Sequence, residues 1–236
     1  MQELWLSLIA FLTSTFTAIF GVGGGVLLIA LMPGLLPPAA IIPVHAVVQL
    51  ASNGSRVLFA WRTVEWHIVG RYAGGACLGA LIGSETVLVL NPEWIPLLLG
   101  ICILLLTWLP PLPMHRLPYR FFSFGAIHTL LATLAGATGP LSSAFLSREG
   151  LTRDPLVTTT GAFMGTAHAL KVLAFILLGF SFAPYLTLML WMSLAAIVGS
   201  WVGTGLRRFL PDVSFQRFFK LLLSILALRL IGMTLS

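Results

Sequence analysis

Apolar runs dominate the chain and polar residues collect in short gaps between them. In the first half the runs cover roughly 4–20, 25–36, 39–61, 68–90 and 93–110; in the second, 120–135, 139–147, 154–178, 182–206 and 213–235. Strict alternation of apolar and polar residues is absent, which argues against a membrane barrel. Runs of about 20 apolar residues cross a bilayer as helices. The second run of each half is too short: a dozen residues at 1.5 Å each reach about 18 Å, against a hydrocarbon core of about 30 Å. The pattern predicts an all-α polytopic membrane protein with eight to ten membrane segments, two of them short or re-entrant. Composition agrees, since 8% of residues are charged where a soluble domain carries roughly 25%.

The chain also repeats itself. A shift of 115 residues sets Gly21 on Gly136, Gly24 on Gly139, Leu36 on Leu151, Val57 on Val172 and Arg56 on Lys171. After a five-residue slip, Ala76, Gly79 and Gly83 meet Ala196, Gly199 and Gly203. Two repeats are expected, residues 1–112 and 113–236, of five segments each. Basic residues change loops between them: Arg62 and Arg71 follow segment three of the first half, whereas Arg207 and Arg208 follow segment four of the second. With the linker "MHRLPYR" in the cytoplasm, Arg116, Arg120, Arg148, Arg153, Arg217 and Lys220 also fall inside, and only Arg229 lies toward the outside. By the positive-inside rule this predicts inverted repeats with both termini outside. Loop charge therefore accounts for the net +6, and no nucleic-acid partner is expected. The first 20 residues lack a basic n-region, so no cleaved signal peptide is expected.

Each short segment follows glycines: "GVGGG" at 21–25 and "GATGP" at 136–140. Glycine allows sharp turns and positive φ, so each stretch is expected to be the tip of a hairpin dipping into the membrane. Irregular backbone is tolerated there only where it lines a buried or watery cavity. The helix that follows would present free N–H groups and partial positive charge, an anion-binding arrangement. Gly21, Gly23, Gly24, Gly25, Gly136 and Gly139 are candidate backbone ligands. The glycines of "AGGACLGALIG", 73–83, read instead as close helix packing.

Segment three of the first half carries His45, Gln49, Ser52, Asn53 and Arg56 on one helical face. The second half offers Thr160, His168 and Lys171 on the equivalent face, with Met164 in place of Gln49. Such a stripe normally faces the bundle interior or a water-filled path. Arg56, five residues before Trp61, could instead snorkel to the cytoplasmic edge. Seven apolar or small residues follow Lys171, "VLAFILL", and deny it the same escape. Of the seven acidic residues only Glu85 lies inside an apolar run rather than at its edge, and it is near the outer end, so the path suits an anion better than a cation. Gln49, Asn53, Arg56, Thr160, His168 and Lys171 are candidate substrate ligands. His45 and His168 are proton-coupling candidates, because histidine titrates near neutral pH; His128, off the stripe, reads first as a packed hydrogen-bonding residue. Cys77 and Cys102 lie in separate runs and mark neither a metal site nor a redox pair. No cofactor is expected.

Gly21, Gly23, Gly24 and Gly25 at the end of the first helix, followed by Pro33 in "LMPGLLP", resemble the sulfite exporter TauE/SafE (TSUP) family. Gly136 and Gly139 match its degenerate second copy. The resemblance covers the whole chain in plan, but residues 21–60 carry the motif. It implies a multi-pass protein of the prokaryotic inner membrane that moves sulfite, sulfonates or related organic anions, often outward. Two departures, Pro140 where the first copy has Gly25, and "IIPVHAVVQL" in a more hydroxyl-rich position, bear on substrate. The expected function is a secondary transporter for a small sulfur-containing anion, with a carrier or channel for another small anion as the alternative. No "HExxH", "GxSxG" or paired-carboxylate pattern points to an enzyme. The partners expected are the anion and the bilayer; the pattern leaves room for a homodimer.

Overall fold

A computed structural model describes residues 2–109, 116–136, 138–207, 209 and 216–235, with 135 and 216–219 as backbone only. The repeat boundary at 112/113, Arg208 and Asp212 lie outside the described residues. The protein is all-α and polytopic. Ten helices follow one another among the described residues: α1 Gln2–Phe20, α2 Gly24–Leu31, α3 Pro38–Phe59, α4 Trp66–Val89, α5 Ile95–Trp108, α6 Arg120–Ala135, α7 Gly139–Leu146, α8 Arg153–Leu177, α9 Leu186–Arg207 and α10 Gln216–Leu235.

Local chemistry sets several of these limits. Pro38 opens α3, where a missing N–H costs nothing. α2 ends at Leu31 rather than 36, because Pro33 cannot donate and Gly34 takes φ +86°. The backbone closes there in a tight turn, with Leu35 and Leu36 N–H groups donating to the Met32 carbonyl at 3.0 and 3.2 Å. α9 begins at Leu186, four residues later than its apolar run, after a short 3₁₀ turn over Ala183–Tyr185 that holds Pro184. Among the described residues, four stretches are long and apolar enough to cross a membrane: Gln2–Phe20, Trp66–Val89, Arg153–Leu177 and Ala183–Arg207. α3 is as long, at 22 residues, but its polar stripe lowers its hydropathy.

The helices pack in matched sets. α1 lies along α9 and α4 along α6, while α3 touches α9 and α8 touches α4. Exchanging each helix for the one five places along the chain leaves this scheme unchanged. Glycines make the first two contacts. A Cβ on Gly79 would fall 2.2 Å from the Ala126 carbonyl oxygen, and one on Gly199 would fall 2.3 Å from that of Phe11. Gly83 and Gly203 continue the same contacts one turn on, against Thr133 and Thr15. Side chains are excluded there, so the backbones meet directly.

Two pairs of helices five places apart in the chain cross in opposite directions. Along the α3–α8 crossing a Cβ on Gly161 would fall 3.6 Å from Val57 and one on Gly165 3.8 Å from Asn53, and His45 faces His168 with ring centroids 5.6 Å apart. Numbers fall on one helix as they rise on the other. α5 and α10 likewise run antiparallel: Gly100 abuts Ala227, while Trp108 donates to Ser224 at 2.9 Å. Antiparallel running of corresponding helices is what an upside-down second half requires. One apolar core joins residues of α1, α2, α3, α5, α9 and α10. A second, richer in aromatics, joins α4, α6, α7 and α8, with Tyr72 stacked on Phe163 and Phe124 on Phe145, both at 4.0 Å.

Candidate functional site

Both glycine stretches are turns between a helix and a short returning helix. Gly21 and Gly23 have φ +83° and +103°, and Gly136 has φ +77°, conformations that cost a side-chain-bearing residue dearly. The two tips meet inside the bundle: a Cβ on Gly139 would fall 3.8 Å from Val22, and Gly136 lies against Ile29 of α2. Close packing claims part of each tip. A Cβ on Gly24 would fall 1.8 Å from the Thr13 carbonyl oxygen, and one on Gly136 would fall 2.0 Å from Ile29 Cδ1. The Gly25 carbonyl lies 2.9 Å from His45 Nε2. A Cβ on Gly139 would meet nothing nearer than Val22 Cβ at 3.8 Å, so this buried tip glycine, unlike Gly24 and Gly136, has room for a methyl group.

The stripe on α3 is buried throughout. Asn53 Nδ2 donates to the Gln49 carbonyl at 2.7 Å and to Gln49 Oε1 at 3.3 Å, and Asn53 Oδ1 accepts from the Arg56 guanidinium. Arg56 is 6% exposed. It does not snorkel: its Nη1 donates to the Thr17 carbonyl at 3.4 Å, in the last turn of α1. Lys171, fully buried, donates through Nζ to the Ala132 carbonyl at 3.1 Å, in the last turn of α6. Each cation therefore reaches back 39 residues to the end of the broken helix of its own half. The last carbonyls of a helix carry partial negative charge, which offsets part of the cost of burying a cation. Among the described ion pairs, neither Arg56 nor Lys171 meets a carboxylate; Arg120–Glu149 and Arg207–Asp154 are surface pairs.

Where α3 crosses α8, polar groups outnumber their partners. Among the described residues, eight buried side-chain nitrogen or oxygen atoms have no hydrogen-bond partner: those of Ser7, Ser14 and Ser84, and five more. The five are His45 Nδ1, Arg56 Nε, Thr160 Oγ1 and both ring nitrogens of His168, all on α3 and α8. An unpaired buried polar atom costs about 1–3 kcal/mol, so a concentration of them marks a place for a polar ligand or water. The crossing thus sets His45 against His168, with Lys171 about one turn along α8, while Thr160 and Arg56 stand toward its other end, 8 and 11 residues away along their helices. Among the described residues no three His, Cys, Asp or Glu side chains gather as metal ligands would.

A second polar cluster was not legible from the stripe. His128 on α6 has Nδ1 2.8 Å from the Tyr72 hydroxyl, and Nε2 2.7 Å from Thr138 Oγ1 and 2.6 Å from Ser142 Oγ. Tyr72 also meets Thr129 at 3.0 Å. Thr138 stands in the second tip where glycine stands in the first; that hydroxyl within "GATGP" was the one signal available in the sequence. Cys77 and Cys102 are free, one exposed and one half-buried.

A family model described as sulfite exporter TauE/SafE matches residues 6–230 of the chain. No curated protein and no solved structure matches it.

Proposed function

The chain belongs to the sulfite exporter TauE/SafE family, a family of anion-exporter-type membrane transporters, and on that premise we propose that it is a secondary transporter for a small sulfur-containing anion. Sulfite, a sulfonate or a related organosulfur anion crosses the inner membrane, in the export direction. The observation that carries this reading is the set of unpartnered polar atoms on α3 and α8, of which Arg56 Nε, Thr160 Oγ1 and the His168 ring can donate, beside two buried cations that meet no carboxylate among the described residues. An anion at the level of His168 satisfies both at once: it accepts from the ring N–H and neutralises Lys171, about one turn along α8, while Thr160, about 16 Å from Lys171 along the same helix, lines the path toward it with Arg56. A cation would add to the charge already there.

Arg56 and Lys171 supply fixed positive charge, while Asn53, itself held by Gln49, accepts from the Arg56 guanidinium. The tips at Gly21–Gly25 and Gly136–Gly139 offer backbone N–H groups. We take residues 1–112 and 113–236 as inverted repeats that rock about this midplane site in alternating access. The opposite running of α3 and α8, and of α5 and α10, supports that division. With the basic loops in the cytoplasm, both termini are outside.

The test is thermal stabilisation of the detergent-purified protein by sulfite, thiosulfate, sulfate, sulfoacetate, taurine and acetate. A ligand at a hundred times its Kd adds about 2.7 kcal/mol. A dose-dependent shift with sulfur anions, lost in Lys171→Ala, is the expected result. Stabilisation by acetate alone would discard the sulfur assignment, and an unaltered shift in Lys171→Ala would discard the site.

A further inference from the structure

We propose that His128 and its surrounding hydroxyls form a proton-binding site that couples anion movement to a proton. The proposal rests on the anion reading above and names its coupling ion. His128 lies outside the α3–α8 stripe, is fully buried, and is enclosed by hydroxyls on both sides of the ring. The Tyr72 phenol stands at Nδ1; Thr138 and Ser142 both stand at Nε2. Hydroxyls donate or accept by rotating about one bond. When the ring is neutral, one nitrogen carries a proton and the other accepts from a hydroxyl. When a proton adds to the bare nitrogen, a new N–H bond forms. The hydroxyl that had donated turns to accept, and Tyr72 passes its own hydrogen bond to Thr129, 3.0 Å away. The cage serves either charge state without moving a heavy atom.

The cage also touches the parts that must respond. Thr138 belongs to the second tip and Ser142 to α7; Tyr72 comes from α4. Ser142 lies 3.9 Å from the sulfur of Met164, the residue that stands on the α8 face where Gln49 stands on α3. The ionisable groups that face His128 are Tyr72 from α4 and Lys171 and His168 from α8; α7 presents none. Lys171 donates to Ala132, one turn beyond His128 on α6. Without an anion, a proton on His128 would place a second positive charge about one turn from Lys171, and the two would oppose each other. An anion at Lys171 removes the opposition. Anion and proton therefore bind with positive coupling, and by linkage each favours the other. The pair crosses together, in the same direction.

The experiment uses the full chain in proteoliposomes with the membrane potential clamped at zero. Radiolabelled thiosulfate and, in parallel, isethionate serve as probes. Two rates are read: exchange of label against unlabelled anion, and net uptake driven by an alkaline lumen. At one proton per anion, each pH unit drives about tenfold accumulation, the factor equivalent to about 1.4 kcal/mol. The wild type should show both, and His128→Gln should keep exchange and lose driven accumulation. Driven accumulation that persists in His128→Gln, or that is absent from an exchanging wild type, would overturn the proton site and leave the anion reading intact. Absence of wild-type exchange with both probes would instead remove the anion reading, and this proposal with it. If His128→Gln loses exchange as well, Tyr72→Phe and Ser142→Ala decide: each removes one hydroxyl, and exchange kept with an altered pH dependence of driven uptake supports the site. An unaltered pH dependence in both overturns it.

Discussion

Replacing Gly24 by alanine tests whether the first tip is held by direct backbone contact. The new methyl carbon would lie 1.8 Å from the Thr13 carbonyl oxygen and 2.1 Å from Thr17 Oγ1. Ordinary contact needs about 3.4 Å or more, so α2 must retreat from α1 by more than an ångström. The hydroxyl of Thr17 can rotate away, but the nearer atom is backbone and cannot. Overpacking of this kind costs about 1–3 kcal/mol, occasionally more. Gly139→Ala is the matched control at the second tip, where the nearest atom would be Val22 Cβ at 3.8 Å and φ is not positive. There the methyl group has room, and alanine in a helix gains about 0.5–1 kcal/mol over glycine. Thermal unfolding of the two purified variants in one detergent should separate them by several degrees, with Gly24→Ala the lower. Anion exchange in liposomes should fall in both, for different reasons: the first loses the tip's position, and the second places a methyl group among its N–H donors. Equal unfolding temperatures would refute the close approach of α2 to α1, and with it the tip geometry of the first half.

Three other outcomes follow from the same contacts. Gly199→Ala should destabilise by about 1–3 kcal/mol, since its Cβ would meet the Phe11 carbonyl at 2.3 Å; Gly205→Ala on the same helix meets nothing within 4 Å and should be neutral or better in the same melt. Arg207→Ala breaks an ion pair with an Asp154 that is 65% exposed, so urea or thermal midpoints should move by less than the equivalent of about 1 kcal/mol. A cysteine placed at Arg62 should react with an impermeant maleimide only from the cytoplasmic side; labelling of intact cells from outside would reverse the assigned orientation.

The sequence by itself determined the class, the segment plan and the face on which the polar groups stand. Hydropathy and glycine conformational freedom are local properties. The ten runs, the breaks at 21–25 and 136–140, and the stripe from His45 to Arg56 could therefore be read without knowing what touches what. Boundaries shifted where proline and glycine interrupted an apolar run, as at Pro33 and Gly34. The periodicity of α3 says which side is polar, but not which helix faces it; only tertiary packing set His45 against His168. The partners of Arg56 and Lys171 are the carbonyls of Thr17 and Ala132, and every residue has a carbonyl, so no side chain announces such a contact. The same holds for Gly79, whose packing was expected, and for Gly199, which aligns with it: the atoms they meet, on Ala126 and Phe11, are again backbone atoms. His128 shows the limit most clearly: its hydroxyl partners come from α4, the second tip and α7, and only the folded chain brings those distant residues around one ring.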